Sequence, residues 1–116
     1  MSLPKLSADA SAEDFNELLQ QARKASDLMK ALSHETRLLI LCLLSEGEKS
    51  VSELENIMQM PQAAVSQQLA RLRVDNLVRT RRDGRVIYYS TANAEMAAII
   101  TALYDLFCAP VRNKKE

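Results

Sequence analysis

Residues 50–72 read SVSELENIMQMPQAAVSQQLARL, and this stretch decides the fold. Ser50 followed three residues later by Glu53 is a capping box, in which a hydroxyl and a carboxylate satisfy amide donors that a helix start leaves unpaired. The helix it opens is expected to run through Met58, with Val51, Leu54, Ile57 and Met58 as its buried face. Gln59, Met60 and Pro61 then make a tight turn, because the residue before a proline avoids helical geometry while proline suits a helix's first turn. In a second helix, about 62–75, Val65, Leu69 and Leu72 recur at i, i+4 and i+7 and pack inward, leaving Gln62, Ser66, Gln67 and Arg71 facing out. A short helix, a tight turn and a second helix with a polar outer face is the helix-turn-helix pattern.

Downstream the period changes from helical to alternating. Leu77 to Arg82 and Arg85 to Thr91 are rich in β-branched and aromatic residues, and they flank Asp83-Gly84, a dipeptide favoured in two-residue hairpin turns. The segment 77–91 is thus expected to be a basic β-hairpin. Beyond it Asn93 caps a last helix, about 93–108, with Met96, Ile99, Ile100, Leu103 and Phe107 on one face and Pro110 ending it. Upstream, Ser33 reads as the N-cap of a central helix whose segment Leu38–Leu44 is apolar on every side and should be the most buried element. Gly47 closes that helix. A first helix, about 12–31 and capped by Ser11 or Ser7, carries Phe15, Leu18, Ala22, Ala25, Met29 and Leu32 at alternating spacings of three and four. Such a seam suits either the protein's own core or a dimer interface. The expected order is α-α-α-α-β-β-α, mainly helical with one small hairpin.

The 116 residues, 47% of them hydrophobic, are enough for one cored domain and too few for two ordinary ones. That domain is placed at 11–109, between a flexible leader (1–10) and a flexible tail (110–116). The leader lacks the basic and apolar regions of a secretory signal, and the run Leu38–Leu44 falls short of the roughly 18 apolar residues a membrane span needs. A cytoplasmic protein with no membrane partner is expected. Fifteen basic and fifteen acidic residues balance overall, which argues at first against a polyanionic partner. The distribution reverses that argument: arginines 71, 73, 79, 81, 82 and 85 stand against only Asp75 and Asp83 in the same stretch, while Asp9 to Glu55 is rich in acid.

Several linked motifs resemble the ArsR/SmtB family of winged-helix repressors. Residues 31–38, ALSHETRL, resemble the entry to that family's central helix. Residues 65–69, VSQQL, with Leu72 resemble its recognition helix, and Leu77-Val78, residues 81–84 (RRDG) and Tyr88-Tyr89 resemble its wing. The similarity spans about residues 15–108. It implies a homodimer, joined through the helices at 12–31 and 93–108, that binds an inverted-repeat operator in double-stranded DNA. Gln62, Ala64, Ser66, Gln67, Gln68 and Arg71 would enter the major groove. Glutamines suit the paired donor and acceptor of adenine, and arginine suits guanine or phosphate. Arg81, Arg82 and Arg85 of the wing would reach the adjacent phosphate backbone or minor groove, adding affinity more than sequence choice.

The chain departs from the family's metal sensors. The helix from Ser50 to Met58 has no cysteine, the last helix has no histidine, and His34 falls in the entry motif as a capping-region residue. No metal site and no cofactor are expected. Cys42 and Cys108 instead resemble the thiol pair of the family's reactive-sulfur sensors, in which persulfides or polysulfides crosslink the two cysteines, DNA is released and genes for sulfide oxidation are expressed. Taken alone, Cys42 among leucines could equally be an inert small hydrophobe. A general oxidant sensor, a metal-sensing relative, a thiol redox enzyme and a winged helix that binds protein are the competing readings. The missing CxxC and cofactor loop count against the enzyme.

Overall fold

The computed structural model describes residues 11–114. Its elements are α1 (Ala12–Leu32), α2 (Glu35–Leu44), β1 (Lys49–Ser50), α3 (Val51–Met58), α4 (Gln62–Val74), β2 (Val78–Asp83), β3 (Val86–Thr91), α5 (Ala94–Leu103), a π-helical segment (Tyr104–Cys108) and α6 (Ala109–Lys114). The chain separates into two compact units, one ending at His34 and the other beginning at Glu35. The leader expected at 1–10 lies outside the described residues.

In the first unit, Ser11 caps α1 through a reciprocal box with Asp14, so the cap falls on Ser11 and not on Ser7. Ser33 closes this helix: its hydroxyl and its amide both donate to the Lys30 carbonyl. The expectation that Ser33 opens α2 is therefore corrected. Of the proposed seam only Leu32 is buried, while Phe15 is 54% and Met29 66% exposed. Within one chain this stripe is mostly uncovered.

The second unit is organised by α2, which buries Ile40, Leu41, Cys42, Leu43 and Leu44 in succession and packs against α4, α5 and β3. Gly47, at a φ of 145°, turns the chain after α2 into β1. Ser50 and Glu53 form the expected capping box on α3, with hydrogen bonds of 3.2 and 3.0 Å. Leu54 is fully buried, but Ile57 is 52% exposed and does not belong to the buried face. The tight turn is made by Gln59, whose left-handed φ of 54° reverses the chain so that Pro61 can occupy the N-cap of α4. Val65, Leu69 and Leu72 on α4 have no solvent exposure, as their spacing requires.

The wing has three strands. β3 lies between β2 and β1, both antiparallel to it. The sequence pattern did not reveal β1, which is two residues long and pairs Lys49 with Tyr89 and Ser50 with Tyr88. The hairpin turn is shifted by one residue from expectation. Asp83 pairs with Val86, so the two-residue loop is Gly84-Arg85, with the glycine's φ of 64° at the first position. A two-residue hairpin matching strand twist requires a positive φ there, which glycine adopts without strain.

Asn93 caps α5 through a 2.8 Å bond from the Met96 amide. Pro110 does not end the helix: α6 continues through it to Lys114, so residues 110–114 are helical where a tail was expected, and residues 115–116 lie outside the described residues. The π-helical turn before it, in which the Ala109 amide bonds to the Tyr104 carbonyl, widens the spiral where a proline would otherwise meet the carbonyl of the preceding turn. The stretch Ala94–Val111 has a mean hydropathy of 1.5 and is only 11% buried. It is interrupted by Glu95 and Asp105 but, unlike Leu38–Leu44, is long enough to cross a bilayer by length and composition alone. Met96 and Ile100 point into the core, whereas Ile99, Leu106 and Phe107 remain exposed.

Because Leu69 is wholly enclosed, Leu69→Ala should lower the unfolding free energy by about 2–5 kcal/mol through lost burial and a residual cavity. Val74→Ala, at a site 75% exposed on the same helix, should change it by less than about 0.5 kcal/mol. Urea unfolding followed by circular dichroism reads both, and equal losses would mean that α4 is not seated by its inner stripe.

Candidate nucleic-acid interface and thiol site

On α4 the buried stripe fixes which residues remain outside. Gln62, Gln67 and Arg71 are exposed, and Ala64, Ser66 and Gln68 are half-buried at the margins of that face. Gln68 is turned toward α2, where its side-chain oxygen accepts from Arg37 Nε at 3.5 Å. Arg71 pairs with Asp75 one turn on, at 3.4 Å. Gln67 carries no such tether among the described contacts and is the most open polar side chain at the centre of the helix.

The wing arginines are not equivalent. Alternation along β2 puts Arg81 and Arg82 on opposite faces of the ribbon. Arg81 is cross-strand from Tyr88 and lies 4.8 Å from the centre of its ring, while two of its nitrogens donate to the Glu48 carboxylate, Nε at 3.1 Å. The hydrogen bond from Arg81 holds the Glu48 carboxyl below its usual range. Arg82 and Arg85 are exposed and form no ion pair among the described residues.

The two cysteines are neighbours. Cys42, 5% exposed on α2, and the half-buried Cys108 at the end of the π-helical segment are both free thiols, near enough for Cys108 to act electrostatically on Cys42. Burial, reinforced by the neighbouring Cys108 thiol and by the Glu46 carboxylate, pushes the Cys42 pKa up to about 11. At neutral pH Cys42 is therefore a thiol and not a thiolate. Both side chains line a cavity of about 260 Å³ with Glu35, Leu38, Leu39, Leu103 and Phe107. Residues 35, 38, 39 and 42 follow i, i+3, i+4 and i+7, so a single face of α2 forms one wall.

Three residues absent from the sequence reading connect this region to the wing. Glu46, just past α2, accepts a 3.0 Å hydrogen bond from the Tyr104 hydroxyl at the start of the π-helical segment. Its other oxygen lies 3.8 Å from Lys49 Nζ on β1, the strand hydrogen-bonded to β3. The contact from Tyr104 crosses 58 positions of sequence, too far for any local pattern to signal it. Among the described residues, no three His, Cys, Asp or Glu side chains are grouped so as to hold a metal ion.

A left-handed turn between two short helices, a polar outer face on the second and a basic three-stranded wing define a winged helix-turn-helix protein of the DNA-binding type. Comparison with known proteins extends this. Residues 34–80 match the family described as bacterial regulatory protein, arsR family. The chain is 40% identical over 95 residues to the transcriptional activator HlyU of Vibrio cholerae, covering 82% of this chain and 88% of that one. It is 43% identical over 90 residues to the biofilm growth-associated repressor of Xylella fastidiosa, covering 78% and 79%. The crystal structure of the transcriptional repressor BigR from Xylella fastidiosa superposes with a TM-score of 0.77 at 41% identity, over 82% of this chain and 94% of that one. The chain belongs to the ArsR family of bacterial regulatory proteins and is a DNA-binding transcriptional regulator.

The buried thiol has a measurable consequence. In brief iodoacetamide pulses, Cys42 of the folded protein should stay unlabelled from pH 7 to pH 9 and become reactive only as the pH nears about 11, whereas the urea-unfolded chain labels at ordinary cysteine rates. The sign follows from burial, which favours the neutral thiol. Peptide mass spectrometry resolves the two cysteines, and equal labelling of folded and unfolded Cys42 at pH 8 would contradict this assignment.

Proposed function

We propose that this regulator is a cytoplasmic homodimeric repressor that leaves its operator when reactive sulfur species crosslink Cys42 to Cys108. The observation that carries the reading is that the thiols of Cys42 on α2 and Cys108 on the π-helical segment line one cavity as neighbours. Neighbouring thiols need only close to an S–S bond of about 2.0 Å. α2, enclosed by α4, α5 and β3, has little freedom to move. Most of the adjustment then falls on the π-helical segment, whose wide turn is the weakest part of its helix.

That segment begins at Tyr104, so its movement disturbs the hydrogen bond to Glu46 and, through Lys49, the β1 edge of the wing. In a two-fold dimer the recognition helices must stand about 34 Å apart to enter successive major grooves. A displacement that alters this spacing lowers affinity, because the crosslinked and free forms then differ in their fit to DNA. The exposed apolar residues Phe15 and Met29 on α1 and Leu106 in the last helix supply faces that a second copy would cover. The major-groove contacts assigned are Gln62, Ala64, Ser66, Gln67, Gln68 and Arg71, with Gln67 the least constrained. Arg82 and Arg85 grip phosphates, and Arg81 is largely occupied by Glu48.

Two measurements test this. Replacing Arg82 or Arg85 by alanine should reduce the slope of log affinity against log salt by about 0.9 each, one phosphate's worth, with a smaller change for Arg81→Ala. Unchanged slopes for Arg82→Ala and Arg85→Ala would remove the wing from the contact list. Sodium tetrasulfide should weaken operator binding at least tenfold and leave an intrachain link visible by intact mass, while Cys42→Ser and Cys108→Ser proteins keep their DNA. If those variants release DNA as the parent does, the switch is not the thiol pair. Parallel exposure to peroxide separates sulfur sensing from general oxidant sensing.

A further inference from the structure

We propose that the cavity beside the thiols is a binding site for small, uncharged sulfane-sulfur donors with short hydrocarbon tails, of the dialkyl trisulfide class, and that it discriminates against donors carried on glutathione-like anionic peptides. The inference rests on the thiol-pair reading above and names the substrate class of that site. At about 260 Å³ the cavity falls just below the range of drug-sized pockets. Its walls are Leu38, Leu39, Leu103 and Phe107, their surface is almost wholly apolar, and among the described residues Glu35 is the one charged residue that lines it. A second carboxylate, Glu46, acts on Cys42 from the far end of α2. An anionic carrier would meet no cationic lining residue among the described residues and apolar walls that cannot replace its hydration. A propyl tail has the opposite preference, gaining roughly fourfold in affinity for each methylene fully buried.

The site also orders the chemistry. Cys108 is the more open of the two thiols and Cys42 the enclosed one, so Cys108 meets the donor first. Its thiolate attacks an outer sulfur of the trisulfide R–S–S–S–R, the adjacent S–S bond breaks, and R–S–S⁻ leaves, giving a Cys108–S–S–R mixed disulfide. Cys42 then loses its proton, attacks Cys108 Sγ and expels R–S⁻. The two cysteine protons end on the leaving groups as RSSH and RSH. The donor has been reduced by two electrons, and the thiol pair has been oxidised to a disulfide.

The test compares the reduced full-length protein with dipropyl trisulfide, glutathione trisulfide and sodium tetrasulfide, following the Cys42–Cys108 link by quenched intact mass. Each rate is divided by that donor's rate with free cysteine. Dipropyl trisulfide should be favoured over glutathione trisulfide at least tenfold. Leu39→Glu, at a site 44% exposed on the cavity wall, should reduce that ratio severalfold. Glu35→Lys should speed the glutathione donor. A glutathione donor as fast as the dipropyl one, or a ratio unmoved by Leu39→Glu, overturns the assignment. Crosslinking by tetrasulfide with none by dipropyl trisulfide overturns the cavity alone, and no crosslinking by tetrasulfide overturns the thiol-pair reading together with it.

Discussion

The enclosure of α2 is the constraint on which the rest depends. A helix that buries five consecutive residues at its C-terminal end must be met there by apolar faces from several neighbouring elements. α4 does so with Val65, Leu69 and Leu72, α5 with Met96 and Ile100, and the sheet through β3. The recognition helix, the wing and the thiol-bearing last helix are thus held on one support. Close packing transmits displacement poorly by gradual deformation and well by discrete repacking. In the switch proposed above, a change at Cys42 and Cys108 would reach the DNA-facing surface in this way, without a flexible linker.

Polar contacts then refine what packing positions. Glu48 holds Arg81 against Tyr88, Arg37 draws Gln68 toward α2, and Glu46 joins Tyr104 to Lys49. Each lies at or near the surface, where a single ion pair contributes little to stability. Their value lies in orientation. Of three wing arginines that look alike in sequence, the structure commits one and leaves two open, and of two adjacent glutamines it constrains one. A family resemblance assigned these residues a shared role, and their different partners separate them.

The last helix illustrates how a local rule can be overridden. Pro110 is a helix breaker by its missing amide and its ring, and the expectation that the helix ends there was sound locally. The π-helical turn at Tyr104–Cys108 accommodates it instead, and the helix runs on through α6. The same turn carries Cys108, so the accommodation of a proline and the placement of the Cys108 thiol occur in one irregular segment. The shift of the hairpin turn to Gly84-Arg85 is a similar case, since glycine was required at the first loop position and the strand register moved by one to provide it.

What the sequence determined by itself was whatever short-range rules govern. The Ser50–Glu53 box, the turn before Pro61, the inner stripe of α4, the hairpin and the Asn93 cap each depend on residues within a few positions of one another. They were sufficient for a helix-turn-helix followed by a basic wing. The short strand β1 was invisible because two residues carry no period, and Ile57 was misplaced because a helical stripe indicates a face but not how far its neighbours extend over it. Only the tertiary structure decided that Cys42 and Cys108 line one cavity as neighbours, that Glu35 shares it, and that Glu46 bridges the last helix and the wing. Those contacts join residues tens of positions apart. Such pairings are set by how the helices enclose α2, and no local pattern along the chain encodes them.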